Sequence, residues 1–100
     1  MRDFTSKERS TLAKLAHDIK PVVQIGSKGL TDAVASKIQE SLNAHELIKI
    51  KFIDFKGEKK DISLSICNQC KAQLVRIIGN IAIIYSPAEK EEDRKYNIAL

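Results

Sequence analysis

No stretch of this chain approaches the roughly 18 consecutive apolar residues of a membrane span, and its opening, MRDFTSKERS, has no apolar signal core. A soluble protein that stays in the cytoplasm where it is made is expected, with no membrane partner. Cysteine is scarce too. With two cysteines and no regular spacing, no disulfide framework is expected and a reducing compartment is the default. A zinc site needs about four ligands, and beyond Cys67 and Cys70 the chain offers only His17 and His45, each isolated. The five aromatics, Phe4, Phe52, Phe55, Tyr85 and Tyr96, do not form the paired stacking platform of an RRM sheet. No Ser-His-Asp arrangement, paired carboxylates or nucleophile elbow is discernible, and Asp54, Glu58 and Asp61 lie in or beside a polar loop. Catalysis has no visible carrier, so neither an enzyme nor a cofactor nor a metal is expected.

What is present is the composition of a globular domain, 43% hydrophobic and 30% charged, in a length suited to one core. Residues 1–87 read as the domain and residues 88–100 as a charged, loosely held tail. The net charge is +4, but residues 1–85 keep 14 of the 17 basic and 9 of the 13 acidic residues, a balance of +5. That excess favours an anionic partner.

The order of elements follows from local patterns. TSKERSTLAKLAHDIK offers Thr5 or Ser6 as N-cap, Glu8 in the first turn and Leu12, Leu15, Ala16 and Ile19 at helical spacing. This amphipathic helix should end before Pro21. PVVQI reads as a buried strand, and after two glycines Thr31 caps a second helix carrying Leu30, Val34, Ile38 and Leu42 on one side. ELIKIKFIDF alternates, with Ile48, Ile50 and Phe52 on one face and Lys49, Lys51 and Ile53 on the other, which is at least partly wet. A charged loop, FKGEKK, precedes a third helix in KDISLSICNQCKA, where Ile62, Leu64, Ile66 and Cys67 leave the period ambiguous. LVRIIGNIAIIYS reads as a hairpin turning at Gly79-Asn80, with Val75 and Ile77 on one face and Arg76 on the other. The result is a compact α/β domain ordered α-β-α-β-α-β-β, with a four-stranded mixed sheet.

Half of the chain's four glycines stand in one short stretch, Gly26-Ser27-Lys28-Gly29, between a strand and a helix start. At average glycine usage of roughly 7%, about one hundred-residue chain in two holds a G-x-x-G by chance, so the context does the selecting. Glycines allow close backbone approach, N–H groups at a helix start face an anion, Lys28 supplies charge and Ser27 a further donor. The Walker spacing is absent, which disfavours nucleotide hydrolysis. Arg9, Lys14, Lys20, Lys28 and Lys37 fall on or near the two helices flanking this loop, while Lys49, Lys51 and Arg76 line a sheet face. Such cations suit phosphates. Cys67-x-x-Cys70 lies inside or late in a helix, where two small buried side chains are a better account than metal or redox chemistry. His17 and His45 sit near helix ends, where the dipole favours a cation.

LAHDIKPVVQIGSKGLTDAV, SLNAHELIKIKF and LVRIIGNIAIIYSP occur in this order, and together they resemble the CRM domain (chloroplast RNA splicing and ribosome maturation) over residues 5 to about 87. The stand-alone bacterial form, the YhbY-like RNA-binding proteins, is the nearest in pattern. The resemblance implies a fold similar to the C-terminal domain of translation initiation factor three, and RNA binding with Gly26–Gly29 as the expected contact. It further implies association with ribosomal RNA in precursors of the large ribosomal subunit, and, for the plant relatives, help in intron splicing. Cys67, Cys70 and the tail lie outside the family pattern. No feature demands a second copy, so a monomer is expected. The alternative to RNA binding is a protein-interaction adaptor that uses the amphipathic helices and the charged tail.

Overall fold

Thr5 begins the first helix with a reciprocal cap: its hydroxyl accepts from the Glu8 amide at 3.1 Å, and the Glu8 carboxylate accepts from the Thr5 amide at 2.8 Å. A computed structural model of the chain describes residues 4–53 and 58–96. Within them the order is α1 (Ser6–Leu15), β1 (Val23–Ile25), α2 (Asp32–His45), β2 (Leu47–Phe52), α3 (Lys59–Cys70), β3 (Gln73–Ile78) and β4 (Ile81–Tyr85), with a short 3-10 turn at Glu91–Asp93. This is the expected α-β-α-β-α-β-β sequence. Asp54, Phe55 and the start of the charged loop lie outside the described residues, as do the last four residues of the tail.

The sheet runs β1-β2-β4-β3, with β1 and β2 parallel and both other pairings antiparallel. Parallel neighbours need a crossover, which α2 supplies. Both faces of the sheet are used. On one, α2 and α3 bury Ile38, Leu42, Ile66, Cys67 and Cys70 against Val23, Ile25, Ile48, Ile50, Phe52, Ala82 and Ile84. On the other, Leu12 and Ala16 of α1 pack with Phe4 over Leu47, Val75, Ile83 and Tyr85. Among the described residues nineteen apolar side chains are buried in the two clusters, so removal of apolar surface from water dominates the stabilisation.

Three expectations need correction, and a fourth, the end of the first helix before Pro21, holds with a shorter helix than the spacing out to Ile19 suggested. The first helix ends at Leu15, well short of Pro21: Ala16 leaves the helix (φ −83°, ψ −8°), and a turn over the next residues brings Ile19 rather than Leu15 against the core. Proline sets only the outer limit of a helix, and Leu15 is left exposed. β1 is an edge strand, not a fully buried one, and its Gln24 faces solvent. The hairpin carries a bulge: Leu74 pairs with Ile84 and Arg76 with Ile83, which leaves Val75 as the extra residue. A bulge breaks the two-residue alternation, so Val75 packs under α1 while Leu74 and Ile77 face α2 and α3. Val75 and Ile77 therefore lie on opposite faces, and Val75 shares its face with Arg76. Finally, the tail is held against the body as far as Tyr96 instead of hanging loose, through hydrogen bonds to the Glu46 carboxylate and a ring contact with Tyr85.

Candidate nucleic-acid interface

The GSKG segment leaves β1 at the corner of the sheet, just after Ile25 pairs with Phe52 and accepts from the Ile53 amide at 2.9 Å. The Gly29 amide donates to the Gly26 carbonyl at 3.0 Å, so Ser27 and Lys28 form the tip of a tight turn, and both are exposed. Gly29 has φ +68°, a conformation in which any side chain is strained. Leu30 then packs on the core and Thr31 caps α2, its hydroxyl accepting from the Val34 amide at 3.2 Å. The Gly29 amide of the turn and the Val34 amide at the start of α2 are thus engaged internally. Asp32 occupies the first turn of α2 and its carboxylate already complements the helix dipole. The exposed tip, Ser27 and Lys28, is the part of this corner that can meet a phosphate.

The other cations fall into two groups. Lys37 lines an open groove between α2 and the free edge of β1, together with Pro21, Val23, Gln24 and Val34. Lys20 is exposed on the connector leading into that edge. The second group lies on the α1 side of the sheet. Lys49 pairs with Ile83 and Ile83 with Arg76, so Lys49 and Arg76 share one cross-strand row, and Lys51 stands in the next. Lys14 and Arg76 line one groove with Ser10, His17 and Asp18. Two cations are partly committed: an Arg9 guanidinium nitrogen donates to the Val75 carbonyl at 3.3 Å, which satisfies a bulge acceptor, and the Lys49 ammonium donates to the His17 carbonyl at 3.1 Å. Lys14, Lys28, Lys37, Lys51 and Arg76 are exposed.

A sequence model of the CRS1 / YhbY (CRM) domain matches residues 4–86, the whole of this sheet and its helices. The chain belongs to that family. A Haemophilus influenzae relative named "RNA-binding protein" is 38% identical to this CRM chain over 91 residues, covering 90% of this chain and 92% of the relative. The Bacillus subtilis relative "Probable RNA-binding protein YqeI" is 30% identical, over 89% of this chain and 94% of its own. A solution structure of a Staphylococcus aureus protein, provisionally named an RNA-binding protein, superposes with a TM-score of 0.78 at 28% identity, covering 93% of this chain and 98% of that one. The mixed α/β architecture is thus that of the CRM fold.

In this CRM chain the cysteine pair is structural. Cys67 and Cys70 are free thiols buried on the core side of α3. Burial, aided by the neighbouring Cys70, pushes the Cys67 thiol up from 9.0 to about 11, and burial also raises Cys70. A nucleophile or metal ligand needs the reverse shift, toward thiolate. Alkylation of Cys67 at pH 8 is expected to run about a hundredfold slower than that of a free thiol and to become normal in denaturant. Mass spectrometry of iodoacetamide-treated native protein checks this, and rapid native labelling would contradict it.

Sequence reasoning missed Glu46. It follows α2 with φ +64° and is buried, and its amide donates to the Leu42 carbonyl at 2.8 Å. Its carboxylate accepts from the Ala88 amide at 2.8 Å and from the Lys95 amide, and its carbonyl accepts from the Ser86 amide at 2.8 Å. Arg94 donates from Nε to the Ala88 carbonyl at 2.9 Å, and Tyr96 packs edge-on against Tyr85 with ring centres 6.3 Å apart. The tail beyond the matched domain is therefore anchored to its body. A lone glutamate between HELIKI residues gave no sign of this in the sequence.

Proposed function

We propose that this CRM chain is a non-enzymatic, cytoplasmic RNA-binding protein that acts as a monomer on ribosomal RNA in precursors of the large ribosomal subunit. The observation that carries the reading is the GSKG turn, which presents Ser27 and Lys28 to solvent at the corner of a domain whose relatives are named RNA-binding proteins. Lys28 meets backbone phosphate, Ser27 adds a hydrogen bond, and Gly26 and Gly29 keep the turn slim enough for close approach. Lys14, Lys51 and Arg76, with Arg9 and Lys49 behind them, extend the positive surface over the α1 side. Lys20 and Lys37 extend it along the edge of β1. Contacts of this kind give affinity that falls with salt and little sequence preference.

The test is binding of wild type and Lys28→Glu to ribosomal precursor RNA over a salt series, with sedimentation of the tagged protein in cell extract beside it. Lys28→Glu is expected to weaken binding about tenfold and to reduce the slope of log K against log salt by about one, with an unchanged melting temperature. Wild-type protein should sediment with the large subunit. Binding indifferent to salt and to Lys28, or a protein partner that survives nuclease, would move the adaptor reading to first place.

A further inference from the structure

The face of the sheet that carries α1 is only half covered. Leu12 and Ala16 sit over Leu47, Val75, Ile83 and Tyr85, at one end of the strands. At the other end, Gln24, Lys51, Ile81 and Ile78 are cross-strand neighbours in a single row that spans all four strands. Gln24, Lys51 and Ile78 in this row are exposed and Ile81 is half-buried. Ile53 lies two residues beyond Lys51, on the same side of the strand alternation. Ile78 is 55% exposed and Ile53 is 53% exposed, two of the four large apolar side chains left open among the described residues. Arg76 borders the row from β3, and the GSKG turn begins two residues after Gln24, at the same end of the sheet.

Ile81 and Ile78 continue the row beyond Lys51, and Arg76 stands in the row beside them, so the surface sets aliphatic side chains next to cations. The row and the Lys49–Ile83–Arg76 row beside it carry three cations and no carboxylate. A duplex has little to offer such a surface, because its bases are stacked inside and its exterior is phosphate and sugar. Unpaired nucleotides have both parts: base faces to lay on aliphatic side chains or on the Arg76 guanidinium plane, and phosphates to meet cations. At about 4.8 Å between strands, the row is about 14 Å across, enough for a short single-stranded segment.

We infer that this open half-face is a single-strand RNA surface, continuous with the GSKG corner, so that a chain held at Lys28 lays its next unpaired bases across Ile53, Ile81 and Ile78. The inference rests on the RNA-binding reading and adds the class of RNA: unpaired rather than duplex. It assigns base contact to aliphatic side chains, since no described aromatic residue lies in the row. Lys51 and Arg76 hold the flanking phosphates.

The experiment compares a fluorescent oligouridine with a fully paired RNA duplex of the same length, by anisotropy over a salt series. Wild type, Lys28→Glu and the double variant Ile53→Ser/Ile78→Ser are measured, with thermal melts of each. Both isoleucines are more than half exposed, so the double variant should melt as wild type does. It is expected to bind oligouridine about tenfold more weakly with an unchanged salt slope, and the duplex as wild type does. Lys28→Glu is expected to weaken both RNAs and to flatten both slopes. Lys51→Gln gives an independent check, with a flatter slope on oligouridine. Equal loss on both RNAs, or no loss on oligouridine, overturns the inference. If Lys28→Glu acts while the double variant is silent, this inference alone fails. If wild type binds neither RNA, the RNA-binding reading fails with it.

Discussion

Replacement of Tyr85 by alanine is expected to lower the unfolding free energy by about 4 kcal/mol, whereas Tyr85→Phe should leave the protein at least as stable as wild type. Tyr85 ends β4, is fully buried, and packs between Phe4 and Tyr96 with ring centres at 6.1 and 6.3 Å. Its ring joins β4, α1 and the anchored tail, so truncation opens a cavity where three segments meet. The hydroxyl is different: it is buried and finds no hydrogen-bond partner among the described residues. A buried unpaired hydroxyl costs about 1–3 kcal/mol, which phenylalanine avoids while keeping the ring. Burial, followed by the nearby Glu46 carboxylate, raises the Tyr85 pKa above its ordinary value of 10.0, with Arg94 opposing. Wild-type stability should therefore be intact below about pH 10 and fall as the pH rises through the raised folded value, because the unfolded chain ionises first. Tyr85→Phe should lose less over that window. Urea unfolding at neutral and alkaline pH measures both effects, and a Tyr85→Phe protein distinctly less stable than wild type would contradict the account.

The elements that were legible in the sequence are those whose signals are local. Thr5 with Glu8, and Thr31 ahead of its apolar series, mark helix starts through side-chain to backbone hydrogen bonds that neighbours alone determine. The hairpin turn was legible for the same reason: Gly79 has φ +58°, and a side chain there would meet nothing within 4 Å, so backbone conformation alone selects glycine. α3 was ambiguous because its inward positions, Ser63, Ile66, Cys67 and Cys70, include a serine while Leu64 points to solvent. Ser63 can be buried because its hydroxyl donates to the Lys59 carbonyl at 2.6 Å, a contact that no hydropathy pattern records. The end of α1, the Val75 bulge and the tail all depend on tertiary partners. Within the candidate site, the GSKG turn and the shared face of Lys49, Lys51 and Arg76 followed from chain order and alternation. The engagement of Arg9 with Val75 and of Lys49 with His17 did not, because each links residues distant in sequence.

Glu46→Ala is expected to cost about 3 kcal/mol and to release the tail while leaving RNA binding at Lys28 intact. The carboxylate accepts two backbone amides, from Ala88 and Lys95, and hydrogen bonds to a charged acceptor contribute about 1.5–3 kcal/mol each. Peeling of the tail lets those amides reach water, which keeps the loss below the sum of the two bonds and converts part of it into local opening. Tyr96 would leave Tyr85 as part of the same event. Glutamine is not a conservative replacement here: one oxygen survives, but its NH₂ group would face a second amide donor. Glycine separates backbone from side chain, because it removes the carboxylate yet accepts φ +64° without strain. Glu46→Gly should therefore be about 1 kcal/mol more stable than Glu46→Ala and still have a loose tail. Hydrogen exchange at the Ala88 and Lys95 amides, read beside urea unfolding, distinguishes the two contributions. Persistent protection of both amides in Glu46→Ala would show that the tail is held by its ring contact and Arg94, and not by the buried carboxylate.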